Sequence, residues 1–197
     1  MFLAAAMTGC GGKDSASSTE AKTEVTKTDD TEAAKETEAA KETEAPAETA
    51  TSSGMTLSQA SRVSYNGLAF GPGDKASDVV AGLGEQVKPS DTAQPCVPGA
   101  GEVTKYYFDG VTVIATQNNV VNTVILTKEN GDSTEAKTVS GFGLGSSSEE
   151  IKAALGTPVT EDEYGLSYND GSLYVTVVLD DNGNAMSITI EDLSIEM

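Results

Sequence analysis

Hydrophobic and polar residues divide the chain into three stretches. Met1–Met7 is an apolar run. From 11 to about 55 large apolar side chains almost vanish, with Val25 the only one before Met55. Beyond 56 apolar positions return with two periods. Ala76, Val79, Val80 and Leu83 lie at i, i+3, i+4 and i+7, and Ile151, Ala154 and Leu155 form a shorter version, so each set predicts a helix. Asp74 and Ser146 are natural N-caps, Glu149 completes capping-box spacing with Ser146, and Gly84 and Gly156 supply the stops. Alternation then takes over. Lys105–Phe108, Asp109-Gly110 and Val111–Thr116 predict strand, tight turn and strand, and so do Leu166–Asn169, Asp170-Gly171 and Ser172–Leu179. A further strand follows in each case, Val120–Thr127 and Ala185–Glu191.

These elements repeat. Phe70-Gly71-Pro72-Gly73 opens a segment ending in Leu83-Gly84, and Phe142-Gly143-Leu144-Gly145 opens one ending in Leu155-Gly156, an offset of 72 at both ends. The hairpins match at an offset of 61 through their Asx-Gly turns, which puts Thr112, Ile114 and Thr116 on the face equivalent to Leu173, Val175, Val177 and Leu179. Helix and three strands, twice, is an α+β pattern. It predicts two tandem repeats, about 62–127 and 138–191, forming one curved antiparallel sheet with short helices on one face. Stretches 63–70 and 138–144 add a leading strand to each copy. The first copy is 11 residues longer between helix and hairpin; the excess falls in 85–104, which holds three prolines and Cys96 and reads as a loop where a functional surface could sit.

The ends of the chain supply an address. Met7-Thr8-Gly9-Cys10 follows the apolar run and resembles a bacterial lipobox, with Met7 where leucine is usual. On this reading 1–9 is a lipoprotein signal peptide, its start called too late, and Cys10 is the lipidated first residue. The apolar run is too short to span a bilayer, which needs about 20 residues. Residues 10–55 then form a disordered acidic tether built from Thr31-Glu-Ala-Ala-Lys-Glu36, Thr37-Glu-Ala-Ala-Lys-Glu42 and Thr43-Glu-Ala-Pro-Ala-Glu48. Its composition cannot bury enough surface to offset ordering entropy, and a coil of this length reaches roughly 35–40 Å. The folded part is 56–197.

The lipobox, the tether and the doubled glycine–helix–Leu-Gly–hairpin unit together resemble small bacterial lipoproteins with the beta-lactamase-inhibitor-protein-like (BLIP-like) fold, which also occurs in the SmpA/OmlA group of outer-membrane assembly lipoproteins. The resemblance covers about 62–191 and rests on F142-G-L-G-S-S-S-E-E-I-K-A-A-L-G156 and F70-G-P-G-D-K-A-S-D-V-V-A-G-L-G84, with Tyr106, Tyr107 and Phe108 leading into the first hairpin. It implies helices packed on a curved antiparallel sheet whose open face binds protein. No inhibitor contact residue of the family can be placed on this chain. The hexamers and the Gly-Gly after Cys10 point to a Gram-positive cell surface.

Charge narrows the function. With 12 basic and 31 acidic residues the net charge is −19, which argues against nucleic-acid partners and against an electrostatic hold on anionic lipid. Membrane contact is therefore expected only through the lipid on Cys10. There is no histidine, the commonest general base and metal ligand. Asp180, Asn182, Asn184 and Glu191 stand at positions 1, 3, 5 and 12 of a calcium loop, yet Ala185 occupies the glycine position and an Asn182-Gly183 hairpin turn explains the same letters. Cys96 reads as a small hydrophobe buried against the first hairpin, with a free thiol or an intermolecular disulfide as alternatives. Neither a nucleophile elbow nor a phosphate-cradling loop is present, and the carboxylate pairs read as solvated turns. The expectation is a non-enzyme without cofactor, binding an envelope or extracellular protein. A small-ligand or wall-glycan binder is the alternative, and a carboxylate-dependent hydrolase a remote one. Tyrosine is the side chain best suited to anchor a partner, so Tyr106, Tyr107, Phe108 and Tyr174 are the candidate binding surface.

Overall fold

The computed structural model describes residues 54–94 and 101–195; Cys10, the tether and Cys96 lie outside them. Three short helices form, α1 (Leu57–Ala60), α2 (Ala76–Leu83) and α3 (Ser148–Leu155). The strands are β1 (Val63–Tyr65), β2 (Leu68–Phe70), β3 (Lys88–Ala93), β4 (Val103–Phe108), β5 (Val111–Thr116), β6 (Val121–Thr127), β7 (Lys137–Thr138), β8 (Thr160–Asp162), β9 (Gly165–Asn169), β10 (Leu173–Leu179) and β11 (Ala185–Asp192). The class is α+β with antiparallel pairing throughout. Instead of one sheet there are two. Eight strands run β3-β4-β5-β6-β11-β10-β9-β8, and a small sheet runs β2-β1-β7. The stretches expected to lead each copy build this second sheet, with 63–70 folding as a hairpin.

One core holds these layers together. Val79 and Leu83 of α2, Ile151 and Leu155 of α3, and Leu57 of α1 pack with Phe108, Val111, Val113, Val124, Leu126, Tyr168, Val175, Val177, Ile188 and Ile190 from one face of the large sheet. The other face carries the alternate residues of every strand.

The two halves of the large sheet are built from corresponding contacts. Gly71 N–H donates to Asp74 Oδ2 at 2.9 Å, and 72 positions on Gly143 N–H donates to Ser146 Oγ at 3.1 Å. Ala76 N–H meets Asn119 O as Ser148 N–H meets Gly183 O, and Val121 N–H meets Asp74 O as Ala185 N–H meets Ser146 O. Each helix thus starts on the far turn of its own three strands. Val87 N–H donates to Tyr107 O and Val159 N–H to Ser167 O. At the seam Ile125 pairs with Thr189, its counterpart 64 positions on, and the flanking pairs Thr123–Glu191 and Thr127–Ser187 interchange under the same shift. The seam therefore has a local two-fold axis.

Several expectations are corrected. The caps sit one residue later: Ser147, with Glu150, makes the capping box of α3, whereas Lys75 at the start of α2 has no side-chain cap bond. Asp74 and Ser146 hold the preceding turns instead. Part of 85–104 is strand, since β3 pairs with β4. The buried face of β5 is Val111, Val113 and Ala115, while Thr112, Ile114 and Thr116 face the other way. Lining up the Asx-Gly turns caused that error. In register, Phe108–Val111 corresponds to Tyr168–Val175, shifts of 60 and 64, because the second hairpin has the longer connection. An odd slip of one residue flips a strand's faces.

Helix α2 receives its cap from far along the chain. Asn119, at φ 63°, accepts from Ser77 N–H at 3.0 Å through Oδ1 and donates to Ser77 Oγ from Nδ2. Its counterpart Gly183 has φ 76°. Asn119→Ala is expected to lose both the cap and a residue suited to left-handed backbone, lowering stability by about 1–2 kcal/mol in urea unfolding. Asn119→Gly keeps the backbone freedom and should cost visibly less; equal losses would contradict the assignment.

Candidate functional site

Directly paired residues of an antiparallel sheet project to the same face, so the register maps the face turned away from the helices. One row crosses all eight strands: Lys88, Tyr107, Thr112, Ile125, Thr189, Thr176, Ser167 and Thr160. At about 4.8 Å per strand it spans roughly 34 Å. The next row runs Asp91, Lys105, Ile114, Thr123, Glu191, Tyr174 and Asn169. Thr112 and Thr123 are nearly covered, each at 5 % exposure. Tyr107, Ile114, Ile125, Tyr174 and Thr189 are half-buried. The two-fold of the backbone is broken here. The first half contributes Lys, Tyr and Ile where the second contributes Thr, Ser and Thr.

Tyr107 is held at both its hydroxyl and its ring. Its hydroxyl donates to Asp91 Oδ1 at 2.7 Å, and Lys88 Nζ stands 3.8 Å from the ring centroid. The hydrogen bond to Asp91, with desolvation and the Asp91 charge adding to it, pushes the phenol up to about 12. Beside it lies an open hollow of about 370 Å³, lined by Lys88, Lys105, Ile114, Ile125, Glu129 and Asn130 among others. Asn130 Nδ2 donates to Thr112 Oγ1 at 2.6 Å, and Thr127 Oγ1 accepts from Glu129 N–H, so the turn after β6 is tied to the floor. Three other hollows are a space of about 430 Å³ beside α3, reached by Met55, Lys137 and Phe142, one of about 220 Å³ along β8–β10, and one of about 270 Å³ at Arg62, Leu68 and Asp74.

The four aromatic candidates separate. Tyr107 and Tyr174 stand on the open face, 174 beside Glu191 and Asn169. Phe108 is 1 % exposed and belongs to the core, and Tyr106, two residues earlier on the same side of β4, packs against that core. Strand alternation assigns both to the helix side of the sheet, Phe108 fully buried and Tyr106 partly so. Tyr168 is also fully buried, its hydroxyl lacking a hydrogen-bond partner among the described residues. Burial, reinforced by the charge of Glu161, pushes it to about 12.

The calcium spacing folds as a turn. Asp180 Oδ1 accepts from Asn182 and Asn184 N–H, both at 2.9 Å, which also holds its carboxyl below the ordinary range. Glu191 lies near the far end of β11, roughly 20 Å along the strand from Asn184, and faces Tyr174 and Thr123. These four residues do not converge. Among the described residues no three acidic or thiol groups gather in a metal-binding cluster. Glu149 and Glu161 are bound to Lys152, at 2.7 and 2.9 Å.

Compared with protein-family models, curated proteins and solved structures, the chain matches none. The sequence reading missed Lys88, Asp91, Ile125 and Asn130. The i, i+2 spacing of Lys105 and Tyr107 was a usable signal; β3, exposed along its length and interrupted by Pro89, gave none.

Tyr107 and Tyr168 are expected to ionise late, near pH 12. Raised folded-state values mean that stability is intact below the ordinary phenol pKa of about 10 and is lost as pH climbs toward 12. Titration of tyrosinate absorbance should resolve this late pair, and Asp91→Asn should return one member to the ordinary range. An unchanged titration would contradict the Tyr107–Asp91 bond.

Proposed function

We propose that the chain is a lipid-anchored binding module on the outer face of a bacterial, Gram-positive cell membrane, with a duplicated BLIP-like head that engages a protein of the envelope. The recurrence of helix-start, edge and seam contacts between the two halves supports the duplicated unit. The observation that carries the binding role is the sheet face itself. Eight strands present half-exposed Tyr107, Ile114, Ile125 and Tyr174 on the side opposite the helices. Side chains of this kind anchor protein interfaces. The open, shallow hollow suits a protein loop better than a small ligand, which is ordinarily enclosed.

Anchoring by Cys10 and extension by the acidic tether fit the same role. No helix among the described residues is long and apolar enough to cross a membrane. A diacylated cysteine has enough apolar length for stable attachment.

Two outcomes test this proposal. Cys10→Ser is expected to move the protein out of the membrane fraction and abolish incorporation of a labelled fatty acid; retention of the label would refute the anchor. Immobilised full-length chain carrying Cys96→Ser, exposed to solubilised envelope proteins of the source organism, should retain one protein in stoichiometric amount. Ile125→Asp or Tyr107→Ala should lose it by tenfold or more, as for a central anchor worth about 2 kcal/mol. Equal retention by these variants, or retention only of purified wall polymer, would overturn the protein-binding reading and favour a glycan.

A further inference from the structure

Three of the seven basic residues of the head pair with acids. Arg62 pairs with Asp74 at 2.7 Å, Lys75 with Asp78, and Lys152 with Glu149 and Glu161. Lys88, Lys105, Lys128 and Lys137 have no ion pair among the described residues, and of these Lys88 and Lys105 share the open face. Both line the same hollow of about 370 Å³ on the open face. Two carboxylates are near. Asp91 accepts the Tyr107 hydroxyl, and Glu129 lines the hollow from the turn after β6. Neither makes an ion pair with the lysines.

We propose that this hollow receives carboxylate side chains from an acidic segment of the protein partner. The assignment rests on the protein-binding reading above and names the chemistry of the partner at that face. The ring of Tyr107, fixed by Asp91, holds the Lys88 ammonium over it, so less side-chain freedom is lost when a carboxylate arrives. Ile114 and Ile125 flank the lysines and seat the aliphatic part of a glutamate stem. The hollow has room for one or two side chains. The head carries 20 acidic against 7 basic residues, so a hollow that gathers two unpaired lysines favours such a segment over most of the surface.

The test is nuclear magnetic resonance of isotope-labelled full-length chain titrated with a short Glu-Ala peptide, with Gln-Ala peptide and a sulfated dextran oligomer as the other arms. The expected result is dose-dependent shifts of the Lys88, Lys105, Tyr107 and Thr112 amides with Glu-Ala alone. These should fade as ionic strength rises and disappear in the Lys88→Ser/Lys105→Ser double variant. A second full-length chain with Glu32, Glu36, Glu38, Glu42, Glu44 and Glu48 changed to Gln removes any competition from the chain's own acidic tract. Absence of shifts in both chains overturns the proposal, as do equal shifts from Gln-Ala or from the dextran. Capture of an envelope protein that still depends on Ile125 alongside such a failure would remove only the acidic-segment assignment.

Discussion

The pairing of β6 with β11 is the contact on which the rest depends. Five register pairs, centred on Ile125 and Thr189, join two four-stranded halves that would otherwise each expose a long, unpaired, apolar strand edge. The same strands carry Val124, Leu126, Ile188 and Ile190 on their other side, all buried at 1 % or less, so the seam lies over the middle of the core. Each such side chain, taken from water, contributes about 1.5–3 kcal/mol. With the seam in place, the helices have one continuous sheet to cover and the opposite side becomes one continuous face.

The two halves of the large sheet share backbone contacts and differ in surface chemistry. Backbone contacts at helix starts and outer edges recur in both halves. On the open face, Lys88, Tyr107 and Ile125 on one side stand where Thr160, Ser167 and Thr189 stand on the other. Capping diverges too. α3 closes its first turn locally through Ser147 and Glu150, and α2 borrows Asn119 from the turn after β5.

Local patterns in the letters carried the helices, the glycine stops, the tight hairpin of the first half and the separation of Phe108 and Tyr106 from Tyr107 onto opposite faces, though not which face is inward. What stayed hidden was non-local. Register is set by how many residues a connection holds between paired positions, and aligning Asp109-Gly110 with Asp170-Gly171 concealed a longer second connection. Edge strands β3 and β8 are exposed throughout and show no alternation to detect. The cap of α2 comes from a residue 42 positions away. Asp180, Asn182 and Asn184 serve a turn with the same polar letters that a cation would use. The candidate face was half legible: Tyr107 and Tyr174 were named, while the lysines and isoleucines beside them required the pairing.

Binding through this face makes a direct demand on living cells. Radical footprinting of side chains would compare the full-length protein in its native envelope with the purified chain. The account predicts that Tyr107, Ile114 and Ile125 are labelled less in the envelope, while Tyr164 and Val139, 71 % and 49 % exposed, are labelled alike in both. Equal labelling of the open face in the two settings, or protection confined to Val139 and its neighbours, would contradict it.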